Sequence, residues 1–374
     1  MKKNILYIVN IDRFFLSHRI NIALKAKSLF KVHLATKFDL DKKIFKKKKF
    51  LIHDLNINRS SFGLVSNFVT MINILKIMLK VKPYIVHFIS IKPVLIGGLV
   101  SRLFPSITKI FSISGLGSAF ISENIFSKLK FNLLIFLYSV ALNQEKCKVI
   151  FQNKNDLNFL LNNTKLKKSN CVLIPGSGVP LKKFNPKKFN FKNPIVMFPS
   201  RMLAHKGIFE FAQAARILKT KKINARFILV GDIDEDNPSG IKINLIRKWE
   251  NENILEYWGY KEKMSYILSL ATIIVLPSYR EGFPKVLMEA AASGRPAITT
   301  NVPGCKDAVV HNSTGILVPV KNSRKLANEI KNLLNNKSKI KKMSINARDY
   351  ALKNFDINRI VDSHIQIYKK IIYK

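Results

Sequence analysis

Hydrophobic positions fall into short runs rich in Ile, Val, Leu and Phe, separated by stretches in which apolar residues recur every three or four positions. Short, uniformly apolar runs mark strands buried on both faces, and their alternation with amphipathic helices is the pattern of parallel α/β sheets. In the first half the pattern predicts strands at Ile5–Val9, Val32–Ala35, Phe50–His53, Ile85–Ile89, Lys109–Ile113, Val149–Gln152 and Val172–Ile174. Helices are predicted over Ser17–Leu29, Val65–Val81, Pro93–Leu103, Phe126–Asn143 and Lys154–Leu161. Lys182–Pro194 (KKFNPKKFNFKNP) then interrupts the alternation and reads as a linker. Beyond it the pattern restarts, with strands at Ile195–Phe198, Arg226–Val230, Ile254–Trp258, Ile273–Leu276, Ala297–Thr300 and Ile316–Val318. Helices are expected at Ile208–Thr220, Ile241–Asn251, Lys263–Leu270, Pro284–Ala292, Ser323–Asn335, Ile340–Asn354 and Ile357–Ile372.

Two such halves suit 374 residues better than one core does. Open α/β sheets bind ligands at the carboxyl ends of their strands, so a cleft between two such ends is the expected place for a site. A G-x-G-x-x-G fingerprint is missing; Gly115-Leu-Gly117-Ser-Ala-Phe120 supplies only its first half. With 47% hydrophobic residues, wholesale disorder is excluded. Cys147, Cys171 and Cys305 form no disulfide framework and point to a reducing, cytoplasmic setting. The histidines form no metal-binding motif, so no metal site is expected. The N-terminal apolar run is broken by Asn10, Asp12 and Arg13, too early for a signal peptide. No apolar stretch reaches the roughly 18–20 residues of a spanning helix. The formal net charge of +41 has two sources, a general abundance of Lys and a scarcity of acids. The surface it leaves attracts phosphate, anionic lipid or nucleic acid.

The chemistry concentrates in Pro277–Gly294, PSYREGFPKVLMEAAASG. A buried strand runs into a loop and then a helix, with Pro284 suited to its first turn and Gly294 to its end. Free N–H groups around Phe283, Lys285 and Val286 would offer a diphosphate site. Glu289 lies one turn beyond Lys285 and shares its face, within reach of a ribose. The plainer reading makes Glu281 a charge favouring the helix dipole and Glu289 a solvated residue; the alanines around Glu289 argue instead for a packed helix, where a carboxylate needs a partner. A second strand–loop–helix junction, Phe198–Phe211 (FPSRMLAHKGIFEF), carries Arg201, Lys206 and Gly207. A bidentate guanidinium, a point-charge ammonium and a close backbone approach suit two phosphates.

R-x4-K-G followed by E-G-F-P-K-V-L-x-E-A resembles the nucleotide-sugar site of retaining family-four glycosyltransferases with the GT-B fold. The likeness continues through Val302–Asp307 and Gly315–Val320, and in the first half FFLSHR (Phe14–Arg19), HFISIKP (His87–Pro93) and ISGLG (Ile113–Gly117) resemble members that build lipid-linked surface polysaccharides. The resemblance implies two Rossmann-like domains facing across a cleft: an acceptor domain over residues 1–185 and a nucleotide-sugar domain over 186–355, with a C-terminal helix over 356–374 returning to the first. It implies that Arg201 and Lys206 hold the diphosphate, Glu289 the ribose, and Glu281 the transferring sugar, with Gly207 and the backbone of Gly282, Phe283, Pro284, Lys285 and Val286 lining the pocket. No cofactor or metal is implied, because cations and a helix dipole meet the charge of the departing diphosphate. On the acceptor side the sequence departs from the family pattern. Ser114 and Gly115 stand where many relatives have a histidine, the usual N-G-V-D turn reads Gly176-Ser-Gly-Val-Pro180, and Asp12–His18 replaces a glycine-rich loop. His18 and His87 are candidates for that side, with an ordinary structural role as the alternative for each.

The expected function is therefore transfer of a hexose or N-acetylhexosamine from a UDP-sugar to an undecaprenyl-linked saccharide, by an enzyme held peripherally on the anionic cytoplasmic face of the membrane. A UDP-sugar epimerase shares the architecture, but it needs further acids and bases near the sugar, and no such set is visible. Nucleic-acid binding is not expected, because the basic residues are scattered and match no helix-turn-helix, RNP or basic-zipper pattern. A membrane-bound scaffold differs from the enzyme in failing to bind UDP.

Overall fold

A computed structural model describes residues 2–57, 63–117, 125–235 and 237–373. The expected apolar runs become parallel strands, and the chain divides into two units: residues 1–177 with 359–374, and residues 178–358.

In the first unit β1 (Asn4–Ile11), β2 (Lys31–Lys37), β3 (Leu51–Asp54), β4 (Ile85–Ile89), β5 (Thr108–Ile113), β6 (Cys147–Phe151) and β7 (Cys171–Leu173) form one sheet in the order β3-β2-β1-β4-β5-β6-β7. Every residue of β4 is buried, as a strand covered on both faces requires. Its register pairs Tyr7 with His87 and Ile8 with Phe88. The winding reverses between β1 and β4, the switch point where doubly wound sheets bind ligands. The helix Ile91–Ser101 packs against both Leu64–Val81 and Ile125–Leu142, so these three form one layer. The last helix, Ile357–Ile372, buries Ile360, Val361, His364, Ile365 and Tyr368, and its residues from Arg359 belong to this first unit.

The second unit holds β8 (Ile195–Pro199), β9 (Arg226–Val230), β10 (Glu256–Tyr257), β11 (Ile273–Leu276), β12 (Ala297–Thr300) and β13 (Gly315–Val318), ordered β10-β9-β8-β11-β12-β13. Its switch point lies between β8 and β11.

Three expectations change. The helix expected over Ser17–Leu29 is two helices, Asp12–His18 and Ile20–Ala26, meeting at Arg19, so Asp12–His18 is helical and not a loop. Asp12 anchors this arrangement: it is fully buried, and its carboxylate accepts the backbone N–H groups of Asp39 at 3.0 Å and Leu40 at 2.8 Å. The stretch Lys182–Pro194 is no free linker. Phe184 is buried, and Phe189 and Phe191 pack on the core of the second unit, whose boundary falls earlier, at Gly178. Lysine and asparagine dominate that stretch by count, but its phenylalanines decide where it goes. The short helices Lys43–Lys46 and Cys305–Ala308 carry no periodicity long enough to read.

Candidate active site

Loops leaving the carboxyl ends of β8 and β11, neighbours across the switch point of the second unit, build a compact charged site. The loop after β8 ends in a tight turn at Gly207, whose φ of +80° suits glycine, and a Cβ there would meet the Pro277 carbonyl oxygen at 2.2 Å. Glycine at this position thus lets the two loops touch. They are also hydrogen-bonded, Tyr279 N–H donating to the His205 carbonyl at 2.9 Å.

This contact brings Lys206 to Glu281, with Nζ donating to Oε1 at 2.5 Å. Ser278 Oγ donates to the same carboxylate oxygen at 2.8 Å. Behind them the Thr300 hydroxyl donates to the Ser278 carbonyl, and Glu281 N–H donates to the Pro303 carbonyl at 3.2 Å. Gly304 permits that approach, because a Cβ on it would meet the Glu281 carbonyl oxygen at 2.5 Å. Glu281 is therefore held by three loops. Arg201 stands apart from the pair: its guanidinium donates to Asp234 at 2.7 Å and stays substantially exposed.

The helix beyond the loop runs from Lys285 to Ala292. Pro284 is its N-cap and not a residue of its first turn, with ψ of 116°. It offers no side chain to cap the helix, and the first turn holds no acid. Gly294, with φ of +62°, follows the end of the helix, where a left-handed residue belongs. Glu289 is only 8% exposed, and its carboxylate lies 3.3 Å from Lys285 Nζ. Burial raises its pKa above the ordinary carboxylate value, and Lys285 opposes the shift. The solvated alternative for Glu289 is thereby excluded. Phe283 turns its ring inward, edge-to-face with Phe355 at 5.8 Å, and Gly282 and Pro284 are buried while Val286 is half-buried.

The structure thus joins Lys206 to Glu281 and Lys285 to Glu289, and adds three residues that the sequence did not single out. Ser278 and Asp234 are partners of predicted residues. His205, next to Lys206, has its pKa lowered to about 4, first by burial and then by the adjacent Lys206 charge. Ser278 lies inside the motif-bearing segment and was accessible to inspection; Asp234 sits in an irregular loop after β9 with no pattern to mark it.

The acceptor-side candidates all fall in the first unit. His87 is corrected: it is fully buried in β4, with Nδ1 2.8 Å from the Tyr368 hydroxyl and Nε2 2.7 Å from Ser112 Oγ. Both ring nitrogens are engaged and burial holds the pKa well below its usual value, so His87 locks the last helix to the sheet. His18 is half-buried, stacked on Phe14 at 4.3 Å with Nδ1 2.6 Å from Ser17 Oγ. Ser114 follows β5 and accepts from Arg19 Nη2 at 3.3 Å, and Gly115 has φ of +115°. Of the partial glycine fingerprint, Ser118–Phe120 lie outside the described residues. No group of three or more metal-ligating side chains occurs among the described residues.

Residues 181–350 match the family described as glycosyl transferases group 1, and residues 4–153 the family described as glycosyl transferase 4-like. Over 273 residues, 70% of each chain, the sequence is 32% identical to the N,N′-diacetylbacillosaminyl-diphospho-undecaprenol alpha-1,3-N-acetylgalactosaminyltransferase of Campylobacter jejuni. It is 25% identical over 323 residues to the UDP-Gal:alpha-D-GlcNAc-diphosphoundecaprenol alpha-1,3-galactosyltransferase of Escherichia coli, covering 82% of this chain and 81% of that one. The fold superimposes with a TM-score of 0.80 on HepE of Anabaena in complex with UDP and glucose, at 15% identity and covering 98% of this chain and 100% of that one. The chain therefore belongs to the group 1, family-four-like glycosyltransferases, enzymes of the GT-B fold.

Proposed function

We propose that this enzyme transfers a hexose or N-acetylhexosamine, with retention, from a UDP-sugar to an undecaprenyl-diphosphate-linked saccharide. The observation that carries the reading is the Lys206–Glu281 pair at the junction of the β8 and β11 loops, beside a helix start with no acid in its first turn. In this reading Lys206 and Arg201 receive the diphosphate, the N–H groups of Phe283, Lys285 and Val286 face it, and Glu289 takes the ribose hydroxyls. Glu281 orients Lys206 and contacts the transferring sugar. The charge that develops on the departing diphosphate meets fixed cations and an oriented helix start, so the reaction needs no metal. The acceptor class is taken from the relatives, whose names give diphospho-undecaprenol substrates.

A lipid-linked acceptor places the enzyme at a bilayer. The Leu64–Val81 helix buries Ile74, Ile77, Met78 and Val81, yet also presents Val65 (78% exposed), Phe68 (62%), Val69 and Leu79 outward beside exposed Lys76 and Lys80. In the same layer the Ile125–Leu142 helix exposes Leu129 (73%), Leu133 and Phe136 (62%). Apolar side chains flanked by lysines on a chain of net charge +41 fit an anionic leaflet. Among the described residues no helix is long and apolar enough to cross a membrane.

The test is a transfer assay pairing UDP-hexoses and UDP-N-acetylhexosamines with synthetic prenyl-diphosphate saccharides, with product linkage read by NMR. Transfer with retained anomeric configuration supports the reading. Turnover with none of these pairs, or an inverted product, removes it.

A further inference from the structure

Arg19 is 2% exposed and lies at the junction of the two helices that follow β1. Among the described residues no carboxylate pairs with it. Its hydrogen bonds are long, 3.4 Å from Nη1 to the His18 carbonyl and 3.3 Å from Nη2 to Ser114 Oγ, and Nε has no partner. Desolvation lowers its pKa to about 10, which the buried hydroxyls of Tyr368 and Tyr7 only partly offset. A guanidinium removed from water ordinarily has a carboxylate or a full set of acceptors; leaving one without them costs several kcal/mol.

The surroundings repeat the same sign. Ser114 opens a turn with positive φ at Gly115 and Gly117, and a Cβ on Gly117 would meet Ile91 Cδ1 at 2.6 Å, so the turn lies against the start of the Ile91–Ser101 helix. That helix start has no side-chain cap, no acid in its first turn, and a buried lysine, Lys92. All of this gathers at the carboxyl ends of β1, β4 and β5, on the switch point of the first sheet.

We propose that Arg19 and Ser114 form an anion subsite in the first unit that takes a phosphoryl group, namely the diphosphate of the acceptor. Naming the acceptor as the source rests on the function proposed above; the anion subsite itself does not. Among the described residues the guanidinium keeps an unpartnered Nε and two long hydrogen bonds from its Nη groups, and Ser114, half-buried beside Gly115, is the edge through which a phosphate oxygen reaches them.

The experiment uses the full chain saturated with UDP, so that the nucleotide site is filled, and follows the thermal midpoint and heat of binding on adding sodium pyrophosphate. Pyrophosphate is expected to raise the midpoint of the native protein. Arg19→Met is expected to lose that response at least about tenfold in affinity, to keep UDP binding, and to be no less stable than the native protein without anion, because it removes an uncompensated buried charge. Arg19→Lys, which keeps the charge but not the fork, should respond weakly. An unchanged pyrophosphate response in Arg19→Met, or an Arg19→Met that unfolds or melts several degrees lower without anion, overturns the proposal by making Arg19 a structural residue. Steady-state kinetics of Arg19→Lys separate the sources. A raised KM for the prenyl-diphosphate saccharide with unchanged UDP-sugar KM supports the acceptor, and the reverse overturns that assignment. If no transfer is found with any substrate pair, the function proposed above fails while the pyrophosphate result still decides the subsite.

Discussion

Lys206 and Glu281, 75 positions apart in the chain, meet at 2.5 Å with their side chains only 17% and 12% exposed. The pair exists because Gly207 lets one loop touch the backbone of the other. Glu281→Gln leaves the ammonium with a poorer partner in a site that excludes most water, and should lower stability by about 1–3 kcal/mol. Lys206→Met alone leaves the carboxylate with Ser278 and should cost a similar amount. The double variant should recover part of the loss, with a coupling of about 0.5–3 kcal/mol. Urea unfolding of the four proteins measures it, and additive losses would show that the pair does not hold the loops together.

In the proposed mechanism Arg201 and Lys206 matter most when charge builds on the diphosphate. Arg201→Ala and Lys206→Ala should therefore each lower kcat more than they raise the donor KM. A chelator should leave transfer intact. An unchanged kcat with only a shifted KM would reduce the cations to ground-state binders, and activity lost to EDTA and restored by Mg²⁺ would overturn the metal-free step.

In the proposed site Glu289 links stability and donor binding in opposite directions. Its pKa is raised in the folded chain, so the native state binds a proton more tightly than the unfolded chain does. Between the ordinary value of 4.5 and that raised value, stability falls as pH rises, and at neutral pH the buried carboxylate is a net cost. Glu289→Gln should therefore match or exceed the native protein in stability at pH 7, by up to about 1 kcal/mol, with the gap closing as pH falls toward 4.5. Glu289→Ala should stay folded and lose about 1.5–3 kcal/mol of UDP binding. Urea midpoints across pH and calorimetry with UDP check both, and undiminished UDP affinity would remove Glu289 from the ribose site.

The histidines set the acid limit. Burial lowers the pKa of His33 and His205 to about 4 and of His364 to about 3, from an ordinary 6.5. Above pH 6.5 neither folded nor unfolded chain protonates them. As pH falls from 6.5 toward 4 the unfolded chain takes up protons that the native chain refuses, so stability is lost across that window. Urea midpoints between pH 8 and pH 5 should show a decline starting near 6.5, with a shallower slope in His205→Gln. A flat profile would mean that these histidines protonate without unfolding anything.

Much of the fold was legible because buried parallel strands read as uniform apolar runs. Ile85–Ile89, Arg226–Val230, Ile273–Leu276 and Ala297–Thr300 fall where the pattern placed them. The misread parts depend on tertiary contacts. Asp12–His18 is helical although its neighbourhood looked like a loop, and Lys182–Pro194 joins a core through three phenylalanines hidden among lysines. Within the site, the motif marked Lys206 and Glu281, but their meeting depends on a glycine and a carbonyl from distant segments. His87 shows the converse limit. A histidine beside a motif looks chemical in sequence, and only the tyrosine from the last helix reveals it as a fastener.

The membrane reading turns on which apolar side chains face outward. A helix lying on a sheet must have one apolar face, and here Ile74, Ile77 and Met78 supply it. That packing leaves Phe68 and Leu79 on one helix, and Leu129 and Phe136 on another, exposed in the same layer beside Lys76 and Lys80. The side chains of Lys128 and Lys130 lie outside the described residues, so the charge argument rests on the first helix and on the net charge. Each cation near an anionic leaflet contributes about 1 kcal/mol, and each exposed aromatic or leucine side chain that inserts adds a similar amount or more. The full chain should sediment with vesicles containing anionic lipid and far less with neutral ones, and about 1 M salt, where the screening length is about 3 Å, should release most of it. Phe68→Ser with Leu129→Ser should weaken binding to anionic vesicles by at least about tenfold while leaving UDP affinity unchanged, because both residues are in the first unit and the proposed UDP site is in the second. Equal indifference to both lipids at low salt, or undiminished binding by the double variant, would assign these side chains to some other contact and leave the acceptor to be met in solution.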